Sequence, residues 1–281
     1  GEAKKDAEGW TPVRCLIQCE DEPIGLVQVL TKRSLLFANL ARINRGPLLF
    51  PRTDYCSTIN GLENILQALR DVWVKKRRSI LSILPEIKHS SGTENILRRL
   101  GFVSVATDTS WASSIVDLSE TEEYLRRSLK SKWRNLLKKS ERMDLELETG
   151  CSSGEVAYFL EKHRGFQEDK GFRGIGEAII LNLAGQSTTS SIIQILSASK
   201  EGRRVSGILV VCHGDSCTYL MGWNSFQGRE FNANYFLLWK AFALLKGLGY
   251  RWFDLGGMND KKAPSIAHFK RGLGGHEYAT L

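Results

Sequence analysis

The spacing of apolar residues predicts that the first part of the chain alternates strands and helices. Short apolar runs bounded by turn residues are typical of strands, and the polar stretch 20–23 separates the first two. Residues 59–76 place apolar side chains every three or four positions, which predicts an amphipathic helix. We predict strands at 13–19, 24–30, 79–84, 102–106 and 109–116, and helices at 59–76 and 93–100. Together these elements predict one α/β unit.

A second unit is predicted from residue 118 onward. Ser119 and Glu122 fit a capping box, and the apolar stripe that follows predicts one helix over 120–142. Further strands are predicted at 145–149, 191–197, 204–212, 218–223 and 250–255, with helices at 155–170, 176–183 and around 236–245. Consecutive antiparallel strands followed by a helix and another strand resemble the core of an N-acetyltransferase-like fold.

The last third of the chain predicts a ligand site. A polar loop at 224–232 follows the strand at 218–223, and the helix after it ends in glycine. The next strand leads into Gly256 and Gly257. In a crossover of this kind, ligands bind at the carboxyl ends of the strands.

The net charge adds a candidate partner. The 281 residues carry a formal charge of +8, and the isoelectric point is near 9.2. This basic balance suggests a polyanionic partner such as tRNA, a nucleotide or an anionic lipid surface. A basic soluble protein without such a partner is an equally good interpretation of composition alone.

Membrane and metal chemistry find no support in the sequence. No apolar run has the length of a membrane span, and no signal peptide is visible. The six cysteines show neither a CxxC pair nor a metal-binding spacing with histidine. We therefore expect reduced thiols, no metal site and a cytoplasmic protein.

The predicted helix at 120–142 has a strongly basic face opposite its apolar stripe. The bases on this face are Arg126, Arg127, Lys130, Lys132, Arg134, Lys138, Lys139 and Arg142. Acids gather at the start of the helix and bases toward its end, which the helix dipole alone favours. Two interpretations stay open: a solvated face of a helix packed on the core, or a face that follows nucleic-acid phosphates.

Lys270 is the best catalytic candidate among the side chains. No Ser-His-Asp signature, HExxH motif, P-loop or dinucleotide glycine fingerprint is present, so hydrolase, kinase and dehydrogenase chemistry lack support. Lys270 follows Phe269, and a lysine beside an aromatic wall can stabilise an oxyanion on an acyl carbonyl. A plain surface lysine is the competing interpretation. His268 is a weaker candidate base, and a structural or exposed histidine is favoured there.

Asp254 is a second candidate. It follows an apolar strand and precedes Gly256 and Gly257, so we expect it at the carboxyl end of that strand. A carboxylate that caps the following turn is the alternative.

Several short motifs, taken in order, carry a family resemblance over nearly the whole chain. They are Arg45-Gly46-Pro47, Lys132-Trp133-Arg134, Phe253-Asp254-Leu255-Gly256-Gly257 and Phe269-Lys270-Arg271-Gly272. In this combination the chain resembles the Fem family of aminoacyl-tRNA-dependent peptidyltransferases. These enzymes build interpeptide bridges in bacterial peptidoglycan, and related members act in natural-product biosynthesis, including that of peptide antibiotics.

The resemblance implies an α/β fold with two acetyltransferase-like (GNAT) subdomains in tandem. The first comprises residues 1–117 and the second 118–272, and the tail 273–281 returns to the first. It also implies a monomer that transfers an aminoacyl group from aminoacyl-tRNA to an amine. The acceptor would be a peptide or a UDP-linked muropeptide-like precursor, and aminoacyl-tRNA would be a co-substrate with no further cofactor.

The resemblance assigns roles residue by residue. The implied catalytic pair is Lys270 and Phe269. The implied substrate-binding residues are Lys4 and Arg173, placed by approximate position on acceptor phosphates, with Tyr219, Asn224, Asn234 and Asp254. For tRNA we predict Arg127, Lys130, Arg134, Lys138 and Arg271.

Two departures from related patterns keep other functions open. The segment 168–172 lacks an arginine that the Fem family carries after its second-domain helix, so a small peptide stays open as the acceptor. A CoA-dependent N-acyltransferase is the main alternative, but the loop 227–234 lacks the paired glycines whose amides would cradle a pyrophosphate. A non-catalytic RNA-binding protein is the third possibility.

Overall fold

The computed structural model describes residues 9–33, 39–50, 59–85, 90–105, 111–185 and 192–280. The chain divides into two compact units, Gly1–Trp111 with Ala279–Leu281, and Ala112–Tyr278, which we call unit 1 and unit 2. Within the described ranges, no helix is long and apolar enough to cross a membrane.

Unit 1 is built on a five-stranded sheet in the order β1-β2-β3-β5, with β4 beside β2. Its strands are β1 (Thr11–Cys19), β2 (Glu22–Arg33), β3 (Asn39–Asn44), β4 (Leu48–Leu49) and β5 (Ser79–Leu84). The pair β3 and β5 is parallel, and the other pairs are antiparallel. The strands predicted at 13–19, 24–30 and 79–84 are confirmed.

One face of this sheet is covered by helix α1 (Ile59–Arg70), which continues as a π-helical turn over Asp71–Lys76; helix α2 (Ser91–Arg99) follows β5. Ile65 of α1 and Trp73 of the π-helical turn share a hydrophobic cluster with Val29 and Ile43 of the sheet. Residues 102–105 form no strand, and Val103 is 82% exposed, so the strand predicted at 102–106 is wrong over its described part. An apolar alternation without a neighbouring strand does not form a sheet edge.

Unit 2 contains a seven-stranded sheet in the order β12-β6-β11-β10-β9-β8-β7. The strands are β6 (Trp111–Asp117), β7 (Glu146–Gly150), β8 (Ile193–Lys200), β9 (Arg203–His213), β10 (Ser216–Asn224), β11 (Trp252–Asp254) and β12 (His276–Thr280). The strands from β7 to β10 are antiparallel neighbours, whereas β10 and β11 run parallel.

The boundary between the units differs from the expected one. Strand β6, which we assigned to the first subdomain, pairs with β11 through Val116 and Phe253. Unit 2 therefore begins at Ala112. The tail is divided between the units, since its residues up to Tyr278 belong to unit 2 and Ala279–Leu281 belong to unit 1.

Helices bury both faces of the unit 2 sheet. They are α3 (Glu122–Ser128), α4 (Ser131–Ser140), α5 (Ser153–Lys170), α6 (Glu177–Gly185), α7 (Phe226–Glu230), α8 (Ala233–Gly247) and α9 (Pro264–Arg271). Along β9, Ile208 and Val210 pack into the cluster that contains α4 and α8, while Leu209 packs into the cluster that contains α5 and α6. Two covered faces explain the continuous apolar run of this strand.

The prediction of a single helix over 120–142 is wrong, because this segment is divided into α3 and α4. Leu129 and Lys130 between them are extended, with ψ of 135° and 146°. The N–H of Lys130 donates to the carbonyl of Gly272 at 3.0 Å instead of continuing the helix. The cap also differs from the prediction, since Thr121 accepts from the N–H of Tyr124 at 3.2 Å. A contact distant in sequence therefore breaks the helix.

His163 makes the stability of unit 2 depend on pH. Its buried ring on α5 stacks against Phe159 and meets the edge of Phe172, with 6.1 Å between ring centroids in both cases. Burial lowers the pKa of His163 below its ordinary value of 6.5, and the charge of Glu177 acts in the opposite direction. The unfolded chain therefore takes up a proton more readily than the folded one, and stability falls as pH drops below about 6.5.

We expect His163→Gln to remove this component of the pH dependence. The free energy of unfolding is measured by urea denaturation between pH 5 and 8. As pH is lowered, it should fall more steeply in the wild type than in the variant, by up to about 1.4 kcal/mol per pH unit. Equal slopes in the two proteins would contradict the assignment.

Candidate functional site

The parallel pair of β10 and β11 places several predicted site residues together. Thr218 is aligned with Asp254, where β11 ends, while β10 continues to Asn224. A bulge between Tyr219 and Met221 shifts the register of β10 against β9. Bulges re-aim side chains beside functional sites, and ligands in such folds lie beyond the carboxyl ends of parallel strands.

The Gly256-Gly257 turn that follows β11 requires glycine at its first position. Gly256 has φ of +73°, and a Cβ there would clash with the backbone carbonyl oxygen of Tyr219. The chain therefore passes closely across β10 and turns the carbonyl of Gly257 toward α9.

Lys270 extends from the last turn of α9 into this turn. The residue is 7% exposed, so the alternative of a surface lysine is wrong. Its Nζ donates to the carbonyl oxygen of Gly257 at 2.9 Å and lies 5.3 Å from the centroid of the Tyr219 ring. Burial lowers the pKa of Lys270 to about 8, while the charge of Asp254 acts in the opposite direction. The side chain is therefore mostly cationic at neutral pH.

Tyr219 contributes a neutral aromatic face. Burial raises the pKa of its hydroxyl to about 12. An ammonium group over such a face is stabilised by the ring quadrupole. Tyr219 therefore helps to hold the charge of Lys270 away from bulk water.

Asp254 is buried at the end of β11 and held by three donors. Its Oδ1 accepts from the hydroxyl of Ser113 and from the N–H of Gly256 at 2.8 Å, and its Oδ2 accepts from the hydroxyl of Tyr278 at 2.6 Å. Because Asp254 accepts a hydrogen bond from the N–H of Gly256, it caps the turn, as the alternative interpretation of the sequence proposed.

The sequence did not point to Ser113 or Tyr278. Ser113 lies 141 residues from Asp254, so no local spacing connects the two. The one available signal was the buried pair of serines in an otherwise apolar strand, Ser113 and Ser114. For Tyr278 no signal existed.

Phe269 lies in an aromatic cluster beneath α9. Its ring centroid is 5.0 Å from that of Tyr235 and 6.1 Å from that of Trp133. A Cβ on Gly272 would clash with the Trp133 ring. Phe269 therefore fixes α9 against α4, and a contact with substrate stays a prediction.

Several backbone amides of the segment after β10 are used within the protein. Ser225 caps α7 by accepting from the N–H of Gly228 at 3.0 Å, and a Cβ on Gly228 would clash with the carbonyl oxygen of Val205. Amide groups that donate to protein oxygens here belong to residues 225, 228, 229, 231, 232 and 235. The predicted polar loop thus contains a short helix, and these six amides are used within the protein.

Asn224 and Asn234 flank this segment. The Oδ1 of Asn224 is buried and has no hydrogen-bond partner within the part of the chain that the structure describes. The Oδ1 of Asn234 accepts from the hydroxyl of Ser206 at 2.7 Å. Of these two side chains, Asn224 is therefore the one whose Oδ1 can accept a hydrogen bond from a ligand.

The residues predicted for tRNA differ in how well their charges are compensated. Arg271 is bound on two sides, by Asp260 at 2.7 Å and by Glu277 at 2.9 Å, and these carboxylates raise the pKa of its guanidinium. Exposed Arg127 pairs with Glu123 at 3.0 Å. The other three residues predicted for tRNA are Lys130, just before α4, and Arg134 and Lys138 within it. Lys130 and Lys138 are exposed, whereas Arg134 is half-buried and donates to the carbonyl of Leu129.

Other candidates lie apart from Lys270 or outside the described residues. Arg173 is exposed in the loop between α5 and α6, and His268 is exposed on α9. Lys4 lies outside the described residues. In the described ranges, no cluster of three histidine, cysteine or acidic side chains is arranged for a metal ion.

Comparison with known proteins agrees with this geometry. Residues 125–271 match the family model described as acetyltransferase (GNAT) domain. Comparison with curated proteins gives no significant match.

Solved structures with a similar fold include "Crystal structure of FemX", with a TM-score of 0.79 and 16% identity over 99% of this chain and 88% of that one. A tandem GNAT protein from the clavulanic acid biosynthesis pathway gives 0.56 and 12% over 97% and 82%. The C-terminal domain of a putative lysylphosphatidylglycerol synthetase from Agrobacterium fabrum gives 0.54 and 12% over 95% and 82%. These likenesses confirm the predicted α/β fold with tandem acetyltransferase-like subdomains, and a Fem-like architecture.

Proposed function

Since the chain belongs to the acetyltransferase (GNAT) domain family, we propose that it transfers an aminoacyl group from aminoacyl-tRNA to an amine. The acceptor is a peptide or a peptidoglycan precursor, and the product is a peptide bond. The observation that carries this proposal is the buried ammonium group of Lys270 at the end of the parallel strand pair.

Lys270 supplies what an ester aminolysis needs. The amine attacks the ester carbonyl, and negative charge develops on the carbonyl oxygen. A fixed cation in a site shielded from water stabilises this oxyanion, and such a donor is worth about 10²- to 10³-fold in rate. Because Nζ is held by Gly257 and Tyr219, it is already oriented before the reaction.

The remaining steps require no general base from the protein. A C–N bond forms to the acceptor amine, and the C–O bond to the ribose of the tRNA breaks. The proton lost by the amine ends on the ribose oxygen that leaves. The ester is already activated, so the main task is to position the two substrates.

The segment after β10 supports the choice of donor in this proposal. A CoA-dependent acyltransferase would hold the pyrophosphate of CoA with backbone amides between this strand and the next helix. Here the amides of Gly228 and five neighbours donate inside the protein, and Gly228 packs against Val205. Six amides of this segment are thus already used within the protein, which supports the aminoacyl-tRNA donor over the acyltransferase alternative that the family description suggests.

For tRNA phosphates we assign Lys130, Arg134 and Lys138 rather than Arg271, whose charge two carboxylates already neutralise. Lys130 and Lys138, which are exposed at the start and in the last turn of α4, can exchange counterions for phosphates at little cost. On the acceptor side, exposed Arg173 keeps its predicted role, and so does Lys4.

A donor-exchange assay tests the proposal. Purified protein is incubated with a pool of amine-bearing peptides and muropeptide precursors, and with either mixed aminoacyl-tRNA or acetyl-CoA. We expect product from the tRNA donor alone, and loss of product after ribonuclease treatment. Transfer from acetyl-CoA without transfer from tRNA would overturn the proposal and leave the CoA-dependent alternative.

A further inference from the structure

One end of the unit 1 sheet carries cations that acyl transfer does not use. We call it the basic end, and it consists of exposed Lys32, Arg33, Lys75, Lys76, Arg77 and Arg78. The strand register brings it together, since Arg33 pairs with Asn39 and Asn39 pairs with Ser79. Residues that follow the π-helical turn therefore lie at the same end of the sheet as the end of β2, with β3 between them.

A cavity of about 450 Å³ opens at the basic end. Its cationic and polar lining includes Thr11, Thr31, Lys32, Arg33, Asn39 and Arg77. Among the described residues that line it there is no aspartate or glutamate. Three cations and several hydrogen-bonding groups around one cavity suit a phosphate group.

Arg77 is held in place before any ligand binds. Its guanidinium lies over the buried ring of Trp73, 4.7 Å from the centroid. Its carbonyl oxygen accepts from Asn39 at 3.3 Å and from Ser79 at 3.4 Å. A stacked arginine loses little side-chain freedom when its N–H groups bind a phosphate. Lys32 is placed similarly, 5.8 Å from the Trp10 ring.

Part of the positive charge at the basic end is explained by interactions within unit 1, without any ligand. The dipole of the helix favours cations in its last turn, which covers Lys75 and Lys76 but not the four others. Lys75 also pairs with Asp71 at 2.7 Å. A small phosphorylated molecule would use the three cations of the cavity and leave exposed Lys76 and Arg78 beside it. Cations that continue across the surface match a polymer with repeating phosphates.

We infer that the basic end binds the phosphate backbone of an RNA, as a contact separate from the cations of α4. The identity of this RNA as the donor tRNA rests on the proposed function. The binding itself does not, so the two ideas can fail separately.

The test compares two double variants by fluorescence anisotropy with an uncharged, labelled tRNA transcript at several salt concentrations. In Arg33→Gln/Arg77→Gln the basic end loses two cations. The matched control, Arg98→Gln/Arg99→Gln, removes two exposed cations of α2 that do not line the cavity. Circular dichroism melts establish that both variants are folded.

We expect Kd to rise about tenfold in the first variant near 0.15 M salt, with the slope of log K against log salt reduced by about two. The control should stay within about twofold of wild type. Equal tRNA affinity in the wild type and the folded first variant would overturn the inference. The inference would also be overturned if the first variant lost affinity for pyrophosphate, AMP or phosphatidylglycerol vesicles but not for tRNA. If RNA binding depends on the basic end but no aminoacyl transfer occurs, the inference stands and the proposed function fails.

Discussion

Lys270→Met is expected to lower kcat for aminoacyl transfer by about 10²- to 10³-fold, because the variant keeps the length and packing of the side chain but loses the charge that faces the oxyanion. Single-turnover rates with saturating aminoacyl-tRNA measure this loss. The matched control is His268→Ala on the same helix, whose side chain is exposed, and it should retain nearly full activity. An unchanged rate in Lys270→Met would remove Lys270 from the mechanism.

The same residue predicts a pH dependence. Burial lowers the pKa of Lys270 to about 8, so its ammonium group loses the proton as pH rises through that value. Stabilisation of the oxyanion is then lost. The acceptor amine becomes more reactive over the same range, so the useful quantity is the ratio of the wild-type rate to that of Lys270→Met. This ratio should be constant below about pH 7 and fall above pH 8, and a ratio that rises with pH would contradict the role of the cation.

Gly256→Ala is expected to have the largest effect on folding. A left-handed backbone costs a non-glycine residue about 1–2 kcal/mol. The added methyl group would also clash with the carbonyl oxygen of Tyr219, and overpacking of this kind costs about 1–3 kcal/mol. The free energy of unfolding should therefore fall by about 2–5 kcal/mol. Activity should fall too, because the carbonyl of Gly257 that receives Lys270 must move.

Gly202 provides the matched control for this prediction. It lies in the turn between β8 and β9 with φ of +72°, but a Cβ there meets no atom within 4 Å. Gly202→Ala should cost only the conformational part, about 1–2 kcal/mol, and leave transfer unchanged. Urea denaturation of both variants separates the two contributions. Equal losses at the two positions would show that the contact with Tyr219 is unimportant.

Local patterns predicted those elements whose causes are local. The strand at Ser79–Leu84 follows the predicted range, because a short apolar run between turn residues fixes it. The division of the helix at Leu129 and Lys130 was not predictable, since it depends on a hydrogen bond to Gly272. The same holds for the first boundary of unit 2, which depends on the pairing of β6 with β11.

The site shows the same division. Lys270, Asp254 and Tyr219 do come together, and the sequence had proposed all three. Their supports, Ser113 and Tyr278, arrive from strands far away in sequence and could not be found by spacing. Arg271 looked like a free cation beside Lys270, but its two carboxylate partners are brought to it by the turn before α9 and by β12. Charge in a sequence does not show which charges are compensated.

The junction of α4 with the end of α9 bears on how the proposed donor would have to be positioned. Lys130 lies at the point where α4 begins, and its N–H is tied to Gly272, two residues beyond Lys270. Trp133, one turn further on, packs on both Gly272 and Phe269. One hydrogen bond and one aromatic ring thus connect the start of α4 with the end of α9, which carries Lys270. If the chain acts as proposed, we therefore expect a tRNA seated out of register on α4 to be a poor substrate even with its ester within reach.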